Sequence, residues 1–358
     1  MNSPQKSEIP ELRVVAIGGG TGLSTLLRGL KRFVPAPIGS RRATDRVGAS
    51  APRNNIPATP HAHVIRDLAG IVTVTDDGGS SGRLRENFNM LPPGDVRNCM
   101  VAVSEDEHLL ARLFQYRFRQ GDLEGHSFGN LFLAAMADIT GDFAQAVQTS
   151  SQILAARGRI YPATNTNVTL AAQMDNGTIV RGETSITASQ HRIIELMLEP
   201  SEALPLPEAL DAIAHADLIT LGPGSLYTSL ITNILVKGIA EAIACSPATR
   251  VYVGNLMTQA NESLGLSASQ HIERILQHCG GESRPIFDYA LINTAPISPE
   301  LLTQYALGGQ SPIEADLDRI RSLGVEPVTG SFVHEGDLLR HDYDRLAEAL
   351  LSLPRRHG

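Results

Sequence analysis

The sequence predicts a Rossmann-like, doubly wound α/β protein with a mainly parallel sheet. Short apolar runs end repeatedly in Gly, Asn or Thr, and the first two each lead through a glycine-rich loop. A hydrophobic content of 42% with no Trp suits an aliphatic core of Leu, Ile, Val and Ala.

Residues 12–17 (LRVVAI) read as the first strand, followed by GGGTG and then LSTLLRGLKRF. Leu23, Leu26, Leu27 and Leu30 recur there at helical spacing. A second strand, AGIVTVT at 69–75, ends in DDGGSSGRLR, which completes a right-handed βαβ opening. The intervening stretch 35–66 reads as a mobile insertion: residues 35–63 hold five Pro and four Arg against one Asp, with no apolar period. Helical patterns follow near 104–118, from 126 and from 142, the first opening with Ser104 and Glu107 in capping-box spacing. Between 158 and 198, Asp175-Asn176-Gly177 separates two β-like runs and predicts a small hairpin excursion. Strand patterns resume at DLITLGPGSLYTSL (217–230), RVYVGNL (250–256) and DYALINT (288–294), with an apolar helix near 234–244. Polar loops therefore gather at the strand C-terminal edge, where open α/β sheets bind ligands. The expected domain runs from 12 to 352.

The 358 residues carry a formal charge of −8, and the basic residues form no stripe, so a nucleic-acid partner is not expected. Cys99, Cys245 and Cys279 are odd in number and never in a CxxC pair, which gives neither a disulfide framework nor a zinc site. With no leader-like N-terminus and no apolar run of membrane-spanning length, the expectation is a cytoplasmic protein without membrane insertion.

Gly18-Gly19-Gly20-Thr21-Gly22 lies where backbone N–H groups and a helix dipole hold phosphate. It is neither a dinucleotide fingerprint, since Leu23 takes the last glycine place, nor a Walker A loop, since no Lys-Ser/Thr follows. A redox dehydrogenase is correspondingly disfavoured. Asp76, Asp77, Gly79, Ser80, Ser81 and Arg83 combine groups suited to Mg²⁺, sugar hydroxyls and phosphate oxygens, so Asp76 and Asp77 are the candidate metal ligands. Asp95 serves either as a plain N-cap or as a ligand, with Asn98 beside it. His126 and Asn130 are four residues apart at a helix start; a structural role and a ligand role are both open for His126. Gly222, Gly224 and Ser225 form a second anion cradle, with Ser225 as N-cap. No G-x-S-x-G elbow or H-E-x-x-H appears, so no nucleophile is identified.

Taken in order, AIGGGTGLSTLLRGLK, VTDDGGSSGRLR, PPGDVRNCMVAVS, GHSFGNLF and LGPGSLYTS resemble the gluconeogenesis-factor branch of the CofD-like family over most of 12–295. The resemblance implies a CofD-like fold and binding of UDP-sugars such as UDP-N-acetylglucosamine. It further implies a cytoplasmic role in cell shape and envelope synthesis during gluconeogenic growth. The diphosphate would lie on Gly19–Gly22, and Tyr289 and Arg340 fall where C-terminal contacts to the nucleotide sugar are expected. The enzymatic alternative is a Mg²⁺-assisted transferase like the family's 2-phospholactate transferases. Where the family usually shows Pro-Asn, this chain has Thr232-Asn233. A homodimer is the base-rate expectation. Substitution of Asp77 or Arg83 by Ala is expected to weaken binding with little loss of stability.

Overall fold

In the computed structural model, residues 11–35, 64–105, 109–260, 262–280 and 286–356 are described. Most of the expected insertion, residues 36–63, lies outside them; its expected end at 66 is corrected, because 64–66 already belong to a strand.

Seven parallel strands form the main sheet: β1 (Glu11–Gly18), β2 (Val64–Val72), β3 (Arg159–Pro162), and then β7 (Leu218–Leu221), β8 (Thr249–Val253), β9 (Tyr289–Asn293) and β10 (Glu326–Gly330), in the order β10-β9-β8-β7-β1-β2-β3. A separate antiparallel sheet, in the order β5-β4-β6, contains β4 (Thr169–Met174), β5 (Ile179–Arg181) and β6 (Ile193–Glu199). β11 (Val333–Glu335) and β12 (Leu339–His341) make a short hairpin. The doubly wound reading and the β excursion therefore both hold. The excursion's first residues, however, are the edge strand of the main sheet, since β3 pairs in parallel with β2.

The chain winds outward from β1 through β2 to β3, returns to β7 on β1's other side, and winds outward again to β10. β1 and β7 therefore flank the switch point, the place where this topology opens a crevice at the strand C-termini. The early helices are α1 (Gly20–Lys31), α2 (Gly79–Phe88), α3 (Gly94–Val103), α4 (Leu109–Gln115), α5 (Phe128–Thr140), α6 (Phe143–Ile153) and α7 (Glu183–Ala188). All four leucines of the α1 repeat are fully buried. Gly29 of α1 lies so close to Tyr343 that an added Cβ would sit 2.1 Å from its carbonyl oxygen, which presses α1 onto the helix Tyr343–Ser352.

Two local expectations are corrected. Ser104 ends α3 rather than starting a helix, its hydroxyl donating to the Val101 carbonyl at 2.9 Å; Glu107 lies outside the described residues, and α4 begins at Leu109. The apolar helix near 234–244 is divided into Thr232–Leu235 and Ile239–Cys245, with Gly238 between them in the left-handed region. Among the described residues, no single helix is long and apolar enough to cross a membrane.

Candidate functional site

A cleft of about 470 Å³ opens at the switch point. Its floor is the loop Gly19–Gly22, and its walls come from Gly224–Ser225 after β7, Asn255–Gln259 after β8, Tyr305, Gln310 and the strand β12. Gly19 is the N-cap of α1 and has no side chain to close the first turn, so backbone N–H groups and the helix dipole face the cleft. Gly20 has φ +57°, a left-handed conformation that a side chain would strain. At Gly22 the constraint is proximity: a Cβ would lie 2.3 Å from the Pro223 carbonyl oxygen, so the β1 and β7 loops touch backbone to backbone.

Asn233 fastens this junction, its Nδ2 donating to the carbonyls of Gly18 (3.0 Å) and Ser229 (2.7 Å). Thr232 donates its hydroxyl to the Tyr227 carbonyl at 2.9 Å, within a π-helical turn over Leu226–Ile231. The departure from Pro-Asn at this point thus coincides with a wider helical turn, while Asn233 keeps the loop bound to β1.

Carboxyl groups crowd the glycine-loop end of the cleft. Asp95, the second residue of α3, accepts the Gly20 N–H; burial and the neighbouring Asp76 push its pKa up to about 7, against the lowering effects of that hydrogen bond and of Arg97. Glu183, at the start of α7, lines the same cleft and receives the Thr75 hydroxyl at 3.4 Å. Burial, then the charges of Asp95, Asp76, Glu262 and Asp77, push its pKa to about 9. Both carboxyls are therefore shifted toward the protonated form, Glu183 more strongly than Asp95. A cleft that would repel a diphosphate with both groups ionised instead offers hydrogen-bond donors to it.

The second glycine loop does not line the cleft; Asp76 lies beside Asp95. Asp76 accepts the Gly78 N–H at 2.9 Å and abuts Gly94 together with Ser81. Ser80, His126 and Asn130 form a buried relay: Asn130 Nδ2 donates to Ser80 Oγ at 3.1 Å, and Ser80 Oγ lies 3.0 Å from His126 Nδ1. Burial, with Arg83 and Arg117 nearby, lowers the His126 pKa. Asn98 is taken by Arg97, which donates to its Oδ1 at 2.8 Å and also to Ser127 Oγ.

Other sequence candidates are placed apart. Asp77 Oδ1 accepts the Thr184 N–H (2.9 Å) and hydroxyl (2.6 Å), so its carboxylate holds the first turn of α7. Arg83 donates to the Glu124 carbonyl at 2.8 Å, tying down the loop before α5. Gly79 opens α2 at the surface, and Gly222 turns beneath the Val253 carbonyl. Tyr289 begins β9, so four residue rises, roughly 13 Å, separate it from the strand's C-terminal edge. The tyrosine that does line the cleft is Tyr305, whose hydroxyl accepts the Leu339 N–H at 3.1 Å, next to Arg340.

The GPGS loop differs from a free anion cradle. The Tyr227 N–H and Thr228 hydroxyl donate to the Glu262 carboxylate at 3.2 and 3.0 Å, so a protein carboxylate already fills that helix N-terminus. Ser225 occupies the N-cap position but makes no capping bond; its hydroxyl instead receives the Gln259 amide at 3.0 Å. Gly224 and Ser225 remain part of the cleft wall. Sequence reading missed Glu183, Glu262, Gln259, Tyr305 and Gln310, which carry no local motif; Asn255 was visible as a polar strand end.

As for Mg²⁺, a hard cation needs several converging oxygens. Among the described residues no group of three His, Cys, Asp or Glu side chains is arranged to hold a metal, and Asp77 is turned toward α7. Asp76 and Asp77 are instead engaged by the Gly78 N–H and by Thr184.

The family model for 2-phospho-L-lactate transferase CofD matches residues 14–333. A gluconeogenesis factor of Halalkalibacterium halodurans is 45% identical over 340 residues, covering 94% of this chain and 95% of that protein. A gluconeogenesis factor of Bacillus subtilis is 41% identical over 343 residues, covering 95% and 98%. The crystal structure of a UPF0052-family protein from Bacillus halodurans superposes with a TM-score of 0.84 at 44% identity, covering 96% of this chain and all of that one.

Proposed function

The chain belongs to the CofD family, and on that premise we propose that it is a cytoplasmic regulatory protein that binds a UDP-sugar of the UDP-N-acetylglucosamine type. In this reading residues 12–352 act as one domain, and the bound sugar nucleotide informs cell shape and envelope synthesis under gluconeogenic growth. The observation that carries it is the glycine N-cap of α1 at the switch point, where the first helical turn meets the protonatable carboxyls of Asp95 and Glu183 in a cleft of nucleotide size. The diphosphate lies over Gly19–Gly22, where Gly20 and Gly22 admit close approach and the Glu183 carboxyl donates a hydrogen bond. Amide groups of Asn255, Gln259 and Gln310, with the Tyr305 ring and the Arg340 guanidinium, line the rest of the cleft and suit the uridine and sugar. Asp76 lies beside Asp95 and, with Ser81, against Gly94, while Ser80, His126 and Asn130 form a separate buried network.

Relatives of 41–45% identity that span nearly the whole chain are named gluconeogenesis factors, which favours regulation over transfer. The transferase alternative rests on the family model's name and on the carboxyl groups beside the phosphate end. Thermal-shift measurements with UDP-N-acetylglucosamine, UDP, GDP and NAD, each with and without Mg²⁺, separate the two. Selective stabilisation by the UDP-sugar without a metal requirement supports the regulator. A response confined to GDP plus Mg²⁺ contradicts it.

A further inference from the structure

Beyond Thr21, Arg340 and His341 lies a second cavity, of about 520 Å³, bounded by α1, the β11–β12 hairpin and the first turn of Tyr343–Ser352. Ser24, Thr25 and Arg28 face it from α1, His334 and Arg340 from the hairpin, and Tyr343 from the helix. Its two carboxylates are already engaged. Asp342 accepts the N–H groups of Asp344 and Arg345, each at 3.1 Å, while Asp344 pairs with Arg32. Among the described residues, Arg28 and Arg340 have no ion-pair or hydrogen-bond partner of this kind. With Asp342 also paired to Arg345 at 3.4 Å and Asp344 to Arg32, the cavity presents two guanidinium groups without a side-chain partner, beside the imidazoles of His334 and His341.

The remaining groups specify more than an anion. Ser24 and Thr25 spend their hydroxyl protons on the Thr21 carbonyl, at 3.0 and 2.8 Å, which leaves oxygen lone pairs to accept from a ligand's hydroxyls. Tyr343 is 39% exposed as a residue and lines the cavity, where its ring suits a sugar ring. Guanidinium groups suit phosphate oxygens, and the volume exceeds the needs of a bare phosphate.

We propose that this cavity is a second binding site, for a sugar phosphate, that can be filled together with the cleft and is coupled to it through Arg340. The arginine borders both spaces, so a ligand that draws it to one side alters affinity on the other, by the same factor in both directions. This goes beyond the UDP-sugar reading and does not depend on it.

The test is calorimetric titration of glucose 6-phosphate into the full chain, with glucose and inorganic phosphate as comparisons, first alone and then with UDP-N-acetylglucosamine at saturation. Glucose 6-phosphate should bind more tightly than either comparison. Arg28→Gln and His334→Gln, two exposed positions on different elements, should each weaken it about tenfold or more. It should still bind when the UDP-sugar is present. No binding, equal binding of inorganic phosphate, unchanged affinity in both variants, or strict competition with the UDP-sugar would each overturn the proposal. The first titration leaves the cleft empty, so failure of the UDP-sugar to bind would not obscure the result.

Discussion

Replacing Glu183 by Gln should make the protein more stable at alkaline pH and flatten its stability profile. The folded pKa of Glu183 lies near 9 because burial and the charges of Asp95, Asp76, Glu262 and Asp77 disfavour its ionised form. In the unfolded chain a glutamate loses its proton near 4.3. The folded state therefore keeps a proton that the unfolded state releases, so the contribution is complete below the unfolded value and is lost as pH rises toward about 9. One proton's difference gives a slope of about 1.4 kcal/mol per pH unit, so between pH 6 and pH 8 the upper limit is roughly 2.7 kcal/mol. Glu183 keeps some contact with water at the cleft, and its neighbours titrate with it, which brings the expected loss to about 1–2 kcal/mol. Urea unfolding at pH 6, 7 and 8 measures this as a shift of midpoint at constant slope. Glutamine mimics the protonated carboxyl, so the variant should lose less stability than the wild type over that interval. Asp95, with a pKa near 7, leaves a smaller residual slope in both proteins. Parallel profiles for the two proteins would refute the assignment of a protonated Glu183 to the cleft.

Asp77→Ala should lower stability by about 1 kcal/mol, because the carboxylate caps α7 through Thr184; urea melts check this, and unchanged stability with lost binding would place Asp77 on the ligand instead. Gly22→Ala should abolish UDP-sugar binding in calorimetry and lower the melting temperature, since its Cβ would force the β1 and β7 loops apart; retained binding would contradict the contact. Asp288→Ala should cost about 3–5 kcal/mol in urea unfolding, because Arg250, bonded to it at 2.7 Å, would keep a buried charge without that counter-ion; a loss under 1 kcal/mol would mean that water or the chain replaces it.

The fold was legible where local pattern and tertiary role coincide. The leucines of α1, the apolar runs of β1, β7, β8 and β9, and the Asp175–Gly177 turn each carry their structure in a few adjacent residues, whereas β2, expected at 69–75, runs earlier, over Val64–Val72. The glycine floor of the cleft was legible for the same reason, since glycine at a strand-to-helix turn has a direct steric meaning. What could not be read was direction and commitment. Asp77 looked like a ligand because its motif is acidic and loop-borne, yet Thr184, over a hundred residues away, claims it. Glu262 fills the GPGS helix start from a segment with no motif of its own. Tyr289 lies in a recognised strand but at the wrong end, whereas Tyr305 reaches the cleft from a helix that no glycine loop announces. The β excursion was visible as a hairpin, but its delivery of Glu183 into the cleft depends on packing that periodicity does not record.

The most direct test of the account is isothermal titration of UDP-N-acetylglucosamine into the purified full chain at neutral pH without added metal, followed by chromatography of the recovered ligand. Saturable binding at submillimolar concentration, with the sugar nucleotide recovered intact, is the predicted result. No binding at that concentration, or recovery of UDP and free sugar, would contradict it.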